Sequence, residues 1–77
     1  MNERIKELME QAGLYDFVIE SMGINEEMEK FAELIVRECL AIAKNREDEL
    51  ENANLLKESN AVGIVKYRIA RQFGVKE

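Results

Sequence analysis

Few side chains in this sequence are equipped for chemistry, and their spacing limits what they can do. Cys39 is the single thiol, and there is no histidine. A reactive cysteine needs a neighbouring base or cation and access to solvent. Cys39 stands mid-helix on an apolar stripe, so we read it as core packing rather than as a nucleophile or redox group. One cysteine makes no internal disulfide, and a zinc site needs about four nitrogen, sulfur or oxygen ligands. Glu47, Asp48, Glu49 and Glu51 are dense in carboxylate. A calcium loop wants Gly at its sixth position and Glu at its twelfth. Counted from Asp48 the sixth residue is Ala53, so these acids read as a solvated helix face. Glu26, Glu29 and Glu33 share one side of a helix, as carboxylates bridging metals do. Di-metal bundles also use Glu-x-x-His, which this chain cannot supply. Capping and solubility account for these acids. We expect no catalytic residue, no metal, no cofactor and no enzymatic activity.

The basic side chains need a separate weighing. Lys66, Arg68, Arg71 and Lys76 cluster near the C-terminal end. Ile69 to Lys76, with Ala70 and the Gly74-Val75 turn, has the spacing of the first helix and turn of a helix-turn-helix. A recognition helix has to follow that turn, and the sequence stops at Glu77. The net charge is −5 and the pI is about 4.8. That balance opposes general binding to nucleic acid, which wants excess Lys and Arg, and to an anionic membrane surface. Nucleic acid is therefore not the expected partner. The alternative is a nucleic-acid-directed regulator, contacting through Lys66, Arg68 and Arg71 or mimicking DNA with its acidic helix. We prefer to read these cations as balancing the acidic helix across an interface, where each exposed pair contributes only about 0–1 kcal/mol.

The elements that must position these residues are helical. Proline is absent and glycine occurs four times, so long helices meet few breakers. Asn2 suits the N-cap of a helix over 3–12, with Ile5, Leu8, Met9 and Ala12 on one face and Gly13 past its end. Residues 14–22 combine strand-forming types with a helical face (Leu14, Phe17, Val18). One short strand has nothing to pair with, so the segment reads as a short helix. Asn25 is a natural N-cap for the main helix, with Glu26, Glu27 and Glu29 in its first turn. Met28, Phe31, Ala32, Ile35, Cys39 and Ile42 recur at spacings of three and four. Leu34, Val36, Leu40 and Ala43 widen that stripe, so the helix must be covered from two sides, by its own chain or by a second copy. Glu26–Lys30 and Glu33–Arg37 have the favourable i,i+4 order. The helix spans 26–44 and then either breaks at Asn45 or continues to about 57, the reading we prefer because neither Gly nor Pro occurs over 45–57. Beyond Ile42 the heptad positions fall on Arg46 and Glu49, so a long coiled coil is not expected. Ser59 or Asn60 caps a last helix over 60–73, whose seam is Val62, Val65, Ile69 and Phe73. Gly63 within it marks either the close approach of another helix or a frayed first turn.

Seventy-seven residues make one domain, an all-α fold of three or four helices around the long central one. A chain of this size buries only about 60–65% of its unfolded surface, and with no disulfide or metal it must pack tightly or self-associate. Since 47% of its residues are hydrophobic, we expect a two-fold homodimer. Its interface would comprise Met28, Phe31, Ile35, Cys39, Ile42, Val65, Ile69 and Phe73. A central helix about 45 Å long points the same way. No stretch reaches the roughly 20 apolar residues of a membrane span, and Met1-Asn2-Glu3-Arg4 opens directly into the amphipathic pattern without a signal peptide. A cytoplasmic protein with a reduced thiol is expected.

Three segments carry a family resemblance. Met1-Asn2-Glu3-Arg4-Ile5-Lys6-Glu7-Leu8, the run from Glu29 to Cys39, and the terminal Phe73-Gly74-Val75 resemble a family of small uncharacterised proteins of tailed bacteriophages. The likeness covers the two ends and the central helix, and 40–60 departs from it. It transfers no activity and no site residue. It implies a phage product in an infected bacterial cytoplasm. From the broad apolar surface over 28–43, the missing chemistry and the small size we expect a non-enzymatic accessory protein acting by protein–protein contacts with itself or with a host protein.

Overall fold

The computed structural model describes residues 2–76. They form four helices and, among the described residues, no strand: α1 (Glu3–Gln11), α2 (Asp16–Met22), α3 (Asn25–Asn52) and α4 (Leu56–Phe73). Helix α1 starts as its sequence requires. Asn2 is extended, and its side-chain oxygen accepts from the backbone N–H of Arg4 at 2.9 Å and of Ile5 at 3.3 Å. That satisfies two donors which the first turn leaves without helical partners.

All four helices stop by the same device. In each, the residue past the end takes a positive φ: Gly13 (88°), Gly23 (68°), Asn54 (60°) and Gly74 (64°). The following apolar residue then donates its N–H back five residues: Leu14 to Met9, Ile24 to Ile19, Leu55 to Leu50 and Val75 to Ala70. This is the Schellman closure with its apolar clasp. In the sequence it reads as an apolar residue, three others, Gly or Asn, then an apolar residue.

That device corrects the expected boundaries. The central helix ends at Asn52, not near 57, and the last helix starts at Leu56, not at 60. Asn54 makes the difference, because Asn is the non-glycine residue that most readily enters the left-handed region. Ser59 is accordingly not a cap. It lies within α4, buried, and its hydroxyl donates to the Glu47 carbonyl at 3.1 Å. At the other end of α3, Asn25 is already helical, and Ile24 occupies the cap position with no side-chain hydrogen bond. Ile24 also closes α2, so no extended residue is left for a capping turn. Glu26 and Glu27 still face the positive end of the helix dipole.

The short 53–55 connection folds α4 back antiparallel along α3. Lys66 reaches Glu47, and Arg37 donates to the Lys76 carbonyl at 3.1 Å. Neither Glu26–Lys30 nor Glu33–Arg37 forms as an ion pair. Pairs that do form among the described residues include Arg4–Glu7, Lys6–Asp16, Lys44–Glu47, Lys44–Asp48, Arg46–Glu49 and Lys66–Glu47. On α3 the seam facing α4 runs through Val36, Leu40, Ala43, Glu47 and Leu50, at heptad spacing. On α4 it runs through Ser59, Gly63, Lys66 and Ala70, with Val75 buried beyond the turn. Helix α1 crosses the far end of α4, with Ile5 buried. Helix α2 lies against α3 and supplies Ile19, the most buried large side chain at 2% exposed. Lys6 and Asp16, 3.1 Å apart, tie α1 to α2, and that carboxylate raises the Lys6 pKa.

The result is a rod of 52 × 18 × 16 Å with a radius of gyration of 15.7 Å. A compact chain of this length would have a radius near 11.5 Å. Its accessible surface is 5854 Å², about 1,000 Å² more than the roughly 4,800 Å² usual for a monomer of this mass.

Candidate interaction surface

One residue step on a helix is 100°, so the residue before each seam position points to one side of the hairpin and the residue after it to the other. Because α3 and α4 are antiparallel, the preceding residues of both helices fall on the same side. On α3 these are Ile35, Cys39, Ile42, Arg46 and Glu49, and on α4 they are Glu58, Val62, Val65 and Ile69, so this side is apolar away from the 53–55 turn and charged beside it. The other side carries Arg37, Ala41, Lys44 and Asp48 opposite Asn60, Ile64, Tyr67 and Arg71. The hairpin is therefore amphipathic as a unit. Its first apolar stripe is used internally, and its second remains on one broad face.

Helix α1 covers one end of that face and makes a wall. Between the wall and the hairpin runs an open groove of about 590 Å³, lined by Ile5, Leu8, Met9, Ala12 and Leu14, by Met28, Phe31, Ala32, Ile35, Val36 and Cys39, and by Ile69 and Phe73. Every lining side chain is apolar or a thiol. The volume falls in the range of ligand and peptide sites. Phe31 is 58% exposed, Ile35 49% and Ile42 68%.

Most of the expected interface residues come together here. Met28, Phe31, Ile35, Cys39, Ile69 and Phe73 line the groove. Ile42 and Val65 continue the same face toward the helical turn, both exposed. Two readings are corrected. Val65 is not in the α4 seam, which uses Ser59, Gly63, Lys66 and Ala70 one register on. Cys39 is exposed, not packed in a core, because it belongs to the second stripe, which this chain leaves uncovered.

The charged residues sort differently. Glu47 is not on a solvated face. The seam of α3 passes through it, and its side chain is only 18% exposed. Its carboxylate accepts from Lys66 Nζ at 2.8 Å and lies 3.4 Å from Lys44 Nζ. The Lys66 ammonium holds the Glu47 carboxyl below its ordinary value, with Lys44 adding to the effect. Asp48, 3.0 Å from Lys44, and then Glu47 raise the Lys44 pKa in turn. Gly63 is the small residue that makes room: a Cβ there would collide with Glu47 Oε2. Gly63 is not in a frayed first turn, because α4 begins at Leu56, and what comes close to it is the Glu47 side chain rather than the backbone of another helix. The missed signal was the 36/40/43/47/50 heptad register set against Ser59, Gly63 and Ala70.

Lys66, Arg68 and Arg71 do not form one basic surface. Lys66 turns into the seam, while Arg68 and Arg71 are exposed on other faces of α4. A second concavity of about 500 Å³ on the polar side gathers Arg37, Lys44, Lys66 and Lys76 over Leu40 and Ala41. Among the described residues no three His, Cys, Asp or Glu side chains are grouped to hold a metal ion. No helix among the described residues is long and apolar enough to cross a membrane. No protein-family model, curated protein or solved structure matches the chain.

Proposed function

We propose that this chain is a non-enzymatic interaction protein that works by presenting the apolar face of the α3–α4 hairpin to protein helices. The observation that carries the reading is the uncovered second stripe, Phe31, Ile35, Cys39 and Ile42, continuous with an apolar groove. Soluble proteins seldom leave contiguous apolar surface open unless something binds it. A groove walled by α1 and floored by α3 has the form that accepts an amphipathic helix. The sequence resemblance supports reading it as a product of a tailed phage, and the open apolar face supports an accessory role in the infected bacterium, acting on itself or on a host protein.

The test is photo-crosslinking in bacterial cells expressing the chain. A p-benzoylphenylalanine placed at Ile35, inside the groove, is expected to capture protein. The same group placed at Ala41, on the charged face, is expected to capture little. If the Ile35 position yields no protein adduct, the reading fails.

A further inference from the structure

The apolar face has a size and a symmetry that specify its occupant. We infer that the groove is covered by a second copy of this chain, the two α3–α4 hairpins meeting face to face about a two-fold axis to make a four-helix layer flanked by the α1 helices. This rests on the reading of the face as an interaction surface. The area comes first. The chain exposes about 1,000 Å² beyond a compact monomer of its mass, and a standard stable interface buries about 800 Å² per partner. That excess belongs to the whole rod and includes side chains off this face such as Phe17, Met22, Ile64 and Tyr67. It is large enough to supply one interface, and Phe31, Ile35 and Ile42 on this face are exposed.

The second argument is the pattern. A helix in a four-helix bundle needs two apolar stripes, one for each neighbour. Helix α3 has both, one residue apart: Val36 and Leu40 against α4, and Ile35 and Cys39 open. On α4, Ala70 is used internally while Val65 and Ile69 continue the open side. Each hairpin is thus half of a bundle, and an identical half completes it. Because both partners use the same patch, association closes at two and does not propagate.

The experiment is sedimentation velocity on the full chain from sub-micromolar to high micromolar concentration, with thiol reactivity of Cys39 followed in parallel. The expected result is a particle of twice the 8.9 kDa chain mass. Ile35→Glu is expected to abolish it while keeping helical circular dichroism, and Ala41→Glu on the charged face is expected to leave it intact. Should Ile35→Glu unfold, the wild-type thiol decides: its reactivity must fall as concentration rises, since Cys39 is open only in the single chain. A wild-type chain that stays monomeric, with a thiol rate independent of concentration, overturns the inference. So does a crosslink from Ile35 to a different protein alone, which would leave the interaction reading standing while removing the second copy.

Discussion

The two ends of the helical hairpin solve the same packing problem in opposite ways. Toward the 53–55 turn the seam holds polar groups beside Leu50: Ser59 donates to the Glu47 carbonyl, Gly63 leaves room for the Glu47 carboxylate, and Lys66 pairs with it. Toward the other end, large apolar side chains such as Phe31 and Ile35 stand in the open beside a groove. The inverse arrangement would suit an isolated monomer. Apolar area stabilises in proportion to what is removed from water, about 25 cal/mol per Å². Val36, Leu40 and Leu50 go into the seam, but Phe31, Ile35 and Ile42 stay in water, where only another molecule can cover them.

The largest expected effect separates the two stripes of α3. Leu40 is buried in the seam at 6% exposed, so Leu40→Ala should cost about 2–5 kcal/mol in unfolding free energy. Ile35→Ala, one stripe over, should leave the single chain almost unchanged when both are unfolded by urea at low concentration. Equal losses at that concentration would erase the distinction between the stripes. At high concentration the Ile35 variant should lose stability relative to wild type, because association contributes to folding by mass action.

The next effect concerns the polar closure. Lys66→Ala leaves the Glu47 carboxylate in the seam with only the more distant Lys44 as its cation, so the Tm should fall. Glu47→Met combined with Lys66→Met should restore or exceed the wild-type Tm, since an enclosed ion pair replaced by apolar groups often costs nothing. The acid limb sharpens this point. Glu47 titrates below its ordinary value of 4.5 in the folded chain. Its contribution to stability is therefore complete above the unfolded value and is lost as pH falls through the folded one. Glu47→Gln should flatten that part of the acid loss in a Tm-versus-pH series, while a seam that does not depend on the pair would show the same acid limb in both proteins.

The smallest effect tests the turn that creates the hairpin. Asn54 holds φ at 60°. Asn54→Ala should cost about 1 kcal/mol because a Cβ without a compensating polar group resists that region. Asn54→Gly should be neutral or slightly stabilising. Loss of stability in the Gly variant would mean that the Asn side chain, not its backbone, holds the turn.

The sequence by itself determined the all-helical class, the cap at Asn2 and the ends at Gly13, Gly23 and Gly74, but not the turn at 53–55. These are local matters of backbone freedom and of hydrogen bonds within a few residues. It also determined that α3 is apolar on more than one side, because periodicity alone reports that. Only the tertiary structure decided which stripe is spent internally. Val36 with Leu40 and Ile35 with Cys39 are both apolar at helical spacing, and a 100° rotation of α3 exchanges them. That choice follows from the partner helix, where Ser59, Gly63 and Ala70 permit close approach and Lys66 finds Glu47. The same dependence on a residue 19 positions away is why Glu47 looked like surface and Cys39 like core. Neither position differs from its neighbours in local pattern, and each takes its environment from where α4 comes to lie.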